Sequence, residues 1–182
     1  MEEKKQKTEK LVRLYFKYIK DLRNKQEKAV ENLVDMWDED GIFEFVGSPP
    51  VTGTFKGLNA ITTLYKNRLQ SNNMKVKLEG VNATSKKTQI HETELGLVDT
   101  TIDKIRIMDD DTAVATWISV ISTTDKQGFQ VSGSHHFSFK DEKITNLKIV
   151  VSPKPEQADA LNINELSIQD VGQLSLAAWA VV

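Results

Sequence analysis

Cysteine is absent from the 182 residues. That excludes disulfides, thiol nucleophiles and zinc sites built on thiolates, and it fits a reducing compartment. Long apolar runs are absent too. No stretch approaches the roughly 20 apolar residues of a membrane span, and the opening MEEKKQKTEK lacks the apolar core of a signal peptide. The chain therefore reads as a soluble, cytoplasmic protein with no membrane partner. Histidine is scarce, at three residues. His135 and His136 are consecutive, so they project oppositely from a strand, and no carboxylate at ligand spacing accompanies them; no metal site is expected. The acidic runs Asp38-Glu39-Asp40 and Asp109-Asp110-Asp111 lack the alternating ligands and glycine of a calcium loop and read as turns.

What is present is enough for one core: a chain of this length buries about 70% of its unfolded surface without staples. Net charge is −2, yet the first 28 residues hold ten Lys/Arg against five Asp/Glu. Glu and Lys are interspersed there at near-helical spacing, so this reads as a solvated helix face rather than a nucleic-acid footprint. Three helices are expected. Thr8 to Arg23 places Leu11, Tyr15, Tyr18, Ile19 and Leu22 on one stripe, with Thr8 as the cap; Gln26 to Trp37 follows a break at Asn24-Lys25; Leu58 to Gln70 is the third. Four strands follow, at Lys104 to Met108, Thr112 to Thr123, Phe129 to Lys140 and Ile144 to Val151. Their polar turns make an antiparallel meander, in which Gly133 permits a bend. Residues 72–100 read as an insertion, an extra hairpin at the rim. The division expected is a domain over 1–152 and an extension over 153–182, whose Asp170 caps a short helix ending in LSLAAWAVV that packs on the domain or on a partner.

The stretch from Leu33 to Leu69 organises the rest. A helix end, the acidic turn 38–41, a strand from Ile42 to Val46, a loop marked by Ser48-Pro49-Pro50 and Gly53, and a helix opened by Gly57 follow in order. In this order, and with G-x-x-A-I at the helix start, the chain resembles the nuclear transport factor 2-like superfamily, which includes SnoaL-like proteins and ketosteroid isomerases. The resemblance covers about Leu11 to Val151. It implies an α+β fold, a cystatin-like cone with N-terminal helices packed on a strongly curved antiparallel β-sheet, and a cofactor-independent reaction.

Carried over residue by residue, the resemblance gives a divided answer. Phe45 falls where the isomerases hold their proton-moving Asp, so that base is missing, and Glu44 points to the opposite strand face. Tyr15 or Tyr18 matches a first-helix Tyr, Tyr65 matches the Tyr of A-I-x-x-x-Y, and His135 stands where a late-strand acid is expected. Alternation puts Phe129, Val131, Gly133, His135, Phe137 and Phe139 on one face, so His135 is expected inside the cone. An imidazole there suits general acid or base work near neutral pH. The catalytic set expected is His135, Tyr15 and Tyr65, and the ligand-lining set is Tyr18, Trp37, Phe45, Phe55, Trp117 and Phe137. Two readings stand: an isomerase, dehydratase or cyclase acting on a small apolar carbonyl, polyketide-like or steroid-like molecule, or a binding or assembly domain without catalysis. A homodimer through the outer face of the meander is expected, with His136 on that face.

Overall fold

The computed structural model of the chain describes residues 2–46, 52–70, 74–81, 88–123, 128–151 and 156–158, with backbone alone at 52, 68–70, 74–81, 88–99, 120–123, 128–131 and 156–158. Helices α1 (Glu2–Arg23), α2 (Ala29–Val34) and α3 (Leu58–Gln70) pack on a sheet of eight strands. These are β1 (Trp37–Val46), β2 (Thr52–Lys56), β3 (Met74–Val81), β4 (Thr88–Ile107), β5 (Thr112–Thr123), β6 (Gly128–Lys140), β7 (Lys143–Val151) and β8 (Glu156–Ala158). Their order is β2-β1-β7-β6-β5-β4-β3, with β8 pairing β6. The result is the α+β arrangement expected, with one addition: β1 pairs β7 in parallel, so the sheet is mixed.

α1 begins six residues earlier than the apolar period indicates. Its buried stripe is Thr8, Val12, Tyr15, Ile19 and Leu22, with Leu11 and Tyr18 half-buried at its sides. Each fully buried aliphatic in that stripe contributes about 1.5–3 kcal/mol. Thr8 is not a cap: it lies within the helix, buried, and its hydroxyl donates to the Asp110 carbonyl at 2.7 Å. The basic face then meets acidic turns. Lys7 lies 2.7 Å from Glu142 and Lys4 lies 3.9 Å from Asp110, exposed pairs worth at most about 1 kcal/mol each. In the β4–β5 turn, backbone and side-chain hydrogen bonds from Asp111 and Thr112 hold the Asp109 carboxyl below its ordinary pKa.

The second helix is shorter than expected and stops at Val34; Trp37 opens β1 instead. The break between helices is where expected, at Lys25, whose φ is 55°. The acidic segment 38–41 is not a free turn. It bulges from β1, since Trp37 pairs Ile144 while Ile42 pairs Asn146, leaving four residues of β1 opposite Thr145. Gly53 lies in strand β2 rather than in a loop, and Gly57, with φ 81°, opens α3. Ser48-Pro49-Pro50 and the helix after Asp170 lie outside the described residues.

Within the expected insertion, β3 pairs antiparallel with β4 from Met74↔Leu95 to Val81↔Thr88, as a hairpin would. It is no separate excursion, however, because β4 runs on for 20 residues into the meander. Pairing aligns the inner face in rows. Phe45, Ile149, His135, Ala115 and Ile105 form one, and Phe43, Leu147, Phe137, Ala113 and Ile107 the next. Trp117 pairs Gly133, which pairs Val151. The register shifts lie at Leu97/Asp99, Ile102/Lys104 and Ser138/Phe139.

Gly133 makes room for a ring of the neighbouring strand. A Cβ there would stand 2.3 Å from Trp117 Cζ2 and 2.5 Å from the Val150 carbonyl oxygen. The missing side chain is the space in which the indole lies. Gly133→Ala is expected to destabilise the fold by about 1–3 kcal/mol through overpacking, read as a lower urea midpoint at unchanged slope. An unchanged midpoint would show that Trp117 moves aside at no cost.

Candidate functional site

The inner face of β6 places His135 at the centre of a ring cluster at 0% exposure. Its imidazole centroid lies 4.8 Å from Phe16, 5.8 Å from Tyr15, 5.8 Å from Phe137 and 6.0 Å from Trp117. Alternation along the strand does this, burying His135, Phe137 and Phe139 and turning His136 outward, where Ser134 Oγ is 2.9 Å from its Nε2. The small Ala113 and Ala115 of β5 face the same interior. Methyl groups there leave volume for the rings that α1 brings down.

Beside the imidazole runs a hydrogen-bonded chain assembled from three elements. Trp37 Nε1 of β1 donates to Tyr65 Oη of α3 at 3.1 Å, and Tyr65 Oη lies 3.4 Å from Tyr15 Oη of α1. An indole N–H only donates, so Tyr65 accepts there and its own proton is available toward Tyr15. The indole can reach because Gly41 lies beneath it: a Cβ at Gly41 would meet Trp37 Cε3 at 2.6 Å.

The expected residues divide clearly. Tyr15, Tyr65, Trp37, Phe45, Trp117, Phe137 and His135 are all buried on the interior side. Of the two candidate first-helix tyrosines, Tyr15 enters the chain; Tyr18 is half-buried at the edge of the stripe, with Lys17 Nζ 5.9 Å from its ring centroid. Phe55 is half-buried on β2, edge-on to Phe43 at 6.0 Å. Phe45 is 2% exposed, and Glu44 faces the other side, 3.6 Å from Lys148. At position 45 the interior wall therefore carries a phenyl ring and no carboxylate.

Two features escaped the reading of the sequence. Phe16 is the ring nearest to His135 in the cluster, although it sits one position off the stripe; its adjacency to Tyr15 is the available signal. Ser119 is the other, fully buried with its Oγ 2.8 Å from Thr100 Oγ1, which accepts from Arg23 Nη1 at 3.1 Å. The alternation Ala113, Ala115, Trp117, Ser119 points to it directly. Among the described residues no group of three or more His, Asp or Glu side chains could hold a metal ion. No described helix is long and apolar enough to cross a membrane.

Replacing Tyr65 with Phe leaves the buried Trp37 N–H without its acceptor and is expected to cost about 1–3 kcal/mol. In a double-mutant cycle with Trp37→Phe, the two losses should fall short of additive by about 0.5 kcal/mol or more. Strict additivity would mean that the 3.1 Å contact carries no net energy.

No family model matches the chain, and no curated protein matches it. Solved structures do. A candidate isomerase from Bacillus subtilis aligns with TM-score 0.54 and 15% identity over 82% of this chain and 89% of its own. An LEH-like epoxide hydrolase from M. tuberculosis aligns with TM-score 0.52 and 16% identity over 96% and 98%. A nuclear transport factor 2-like protein from Burkholderia xenovorans aligns with TM-score 0.50 and 12% identity over 81% and 90%. With helices laid inside a curved mixed sheet and aromatic and polar groups facing that interior, the chain has the nuclear transport factor 2-like fold.

Proposed function

We propose that the protein is a SnoaL-like domain that binds a small apolar molecule bearing a carbonyl, of polyketide-like or steroid-like shape, within the cone, and that His135 moves a proton on it. The observation that carries this is an imidazole at 0% exposure among four aromatic rings, beside the Trp37–Tyr65–Tyr15 chain. Isolating a titratable ring from water costs free energy, and such groups concentrate at functional sites. Neutral imidazole takes a proton α to the carbonyl, and the oxyanion that forms accepts a hydrogen bond from Tyr15, whose hydroxyl is polarised through Tyr65. Isomerisation, dehydration and cyclisation of this kind are redox-neutral and proceed without cofactor. A candidate isomerase and an LEH-like epoxide hydrolase among the structural neighbours support an enzymatic reading of this fold.

Phe45 favours a second reading, a binding domain without turnover, because the isomerase base is lacking. Exchange of α-protons separates the two. In D₂O with 1-tetralone as probe, catalysed exchange followed by NMR should fall by about 10²- to 10⁴-fold in His135→Phe. Binding of the probe with exchange at the buffer rate in both proteins would leave the binding domain as the reading.

We also propose a homodimer through the outer face of β5, β6 and β7, where Val114, Ile118 and Val150 are half-buried among Ser, Thr and His136. A specific dimer there buries about 1,600 Å² or more. Sedimentation equilibrium should give twice the monomer mass at micromolar concentration; a single monomeric species would refute it.

A further inference from the structure

Trp117 buries a second indole nitrogen, on the inner face of β5 beside Gly133, in different circumstances from Trp37. Its side chain is 1% exposed, and Nε1 makes no hydrogen bond among the described residues. Buried tryptophan N–H groups ordinarily find an acceptor, and a native protein that leaves one without calls for a reason. Here the indole is held in place deliberately. The bare Gly133 backbone lies beneath it, the pair Trp117↔Gly133 sits in register, and the His135 ring lies edge-on at 6.0 Å. A Phe at position 117 would supply the same kind of apolar wall without burying a donor.

We propose that Trp117 Nε1–H donates to the ligand's oxygen in the bound ground state, before Tyr15 meets the oxyanion that forms, and that it selects apolar ring molecules carrying an acceptor oxygen over hydrocarbons of the same shape. This rests on the reading of the interior as a ligand site and deepens it. An indole N–H has no acceptor capacity, so its partner must be an acceptor: a ketone, ester, ether or hydroxyl oxygen satisfies it, and a C–H or a donor-only N–H does not. The assignment also orients the ligand. Trp117 and His135 project from neighbouring strands on the same face, at Trp117↔Gly133 and Ala115↔His135, so an oxygen docked on Trp117 brings the adjacent carbon toward the imidazole. Trp117 is then a binding and orienting residue, while proton transfer belongs to His135.

The test uses the full chain with 1-tetralone and its hydrocarbon counterpart tetralin as probes. Dissociation constants are measured by calorimetry, and the indole ¹H–¹⁵N cross-peaks of the three tryptophans are followed in the same titrations. The expected result is that tetralone binds about three- to tenfold more tightly than tetralin, the worth of one net hydrogen bond, and that Trp117→Phe removes this preference. The Trp117 cross-peak, assigned through its contacts with the His135 ring protons, should move downfield with tetralone and not with tetralin. That reading needs only the native protein, so it stands even if the variant fails to fold. A preference kept in Trp117→Phe, or a Trp117 cross-peak already downfield without ligand, overturns the Trp117 assignment and leaves the ligand site intact. Binding of neither probe overturns the ligand site and this inference with it.

Discussion

A single hydrogen bond between Trp37 and Tyr65 joins the parts of this protein that are far apart in sequence. At 3.1 Å, it links the head of β1 to the middle of α3, and Tyr65 passes the connection on to Tyr15 of α1. Three segments that share no ladder are thereby held around one interior. The bond depends on a backbone feature, because the indole lies where a Cβ on Gly41 would stand. The bulge at residues 38–41 and the bond are one device: the extra residues carry the acidic side chains outward while the tryptophan turns in.

The same construction recurs across the sheet, where Trp117 lies over Gly133. Each tryptophan obtains its position from a glycine, one within its own strand and one on a neighbouring strand. The consequences differ. Trp37 spends its N–H on the protein and fixes the fold; Trp117 keeps its N–H within the interior. Between them the inner rows pair Phe45 with Ile149 and His135 with Ala115, an apolar wall with one imidazole in it.

Much of this was legible in the sequence, for physical reasons that can be named. Strand alternation from Phe129 to Lys140 put His135 inward and His136 outward, because period-two geometry leaves no third choice. The last three meander strands emerged within about one residue because Asp-rich and Gly-containing turns bounded them, whereas the strand expected from Lys104 begins at Thr88, where the polar segment before it carries no turn signal to separate it. The first turns of α1 were not legible, since Glu2 to Lys7 carry charges rather than apolar residues. Their support comes from acidic turns more than a hundred residues away, as between Lys7 and Glu142. Trp37 was misplaced for a related reason: its apolar spacing continues the helical period of Leu33 and Val34, while its parallel partner Ile144 lies far along the chain. The candidate site was legible as a set of residues and not as a network, for nothing local tells Tyr15 from Tyr18 or points Trp37 at Tyr65.

The proposed reading leans on the apolar character of the wall at position 45. An Asp at position 45 would need hydrogen bonds or an open solvent path to hold charge in a wall of Phe43, Leu147 and Ile149. Phe45 imposes no such requirement, and the interior can be dry. On the proposed reading His135 suits such an interior, because an imidazole offers both ring nitrogens to hydrogen bonding from within an apolar wall. A neutral base and neutral hydroxyl donors then suit a neutral, oxygen-bearing apolar ligand. A charged ligand would need a counter-charge; Arg23 is a described cation joined to a buried polar group, through Thr100 to Ser119. On the proposed reading, selectivity rests on the buried polar groups of the inner side, which among the described residues include the His135 imidazole, the Tyr15 and Tyr65 phenols, the Trp37 and Trp117 indoles and the Ser119 hydroxyl.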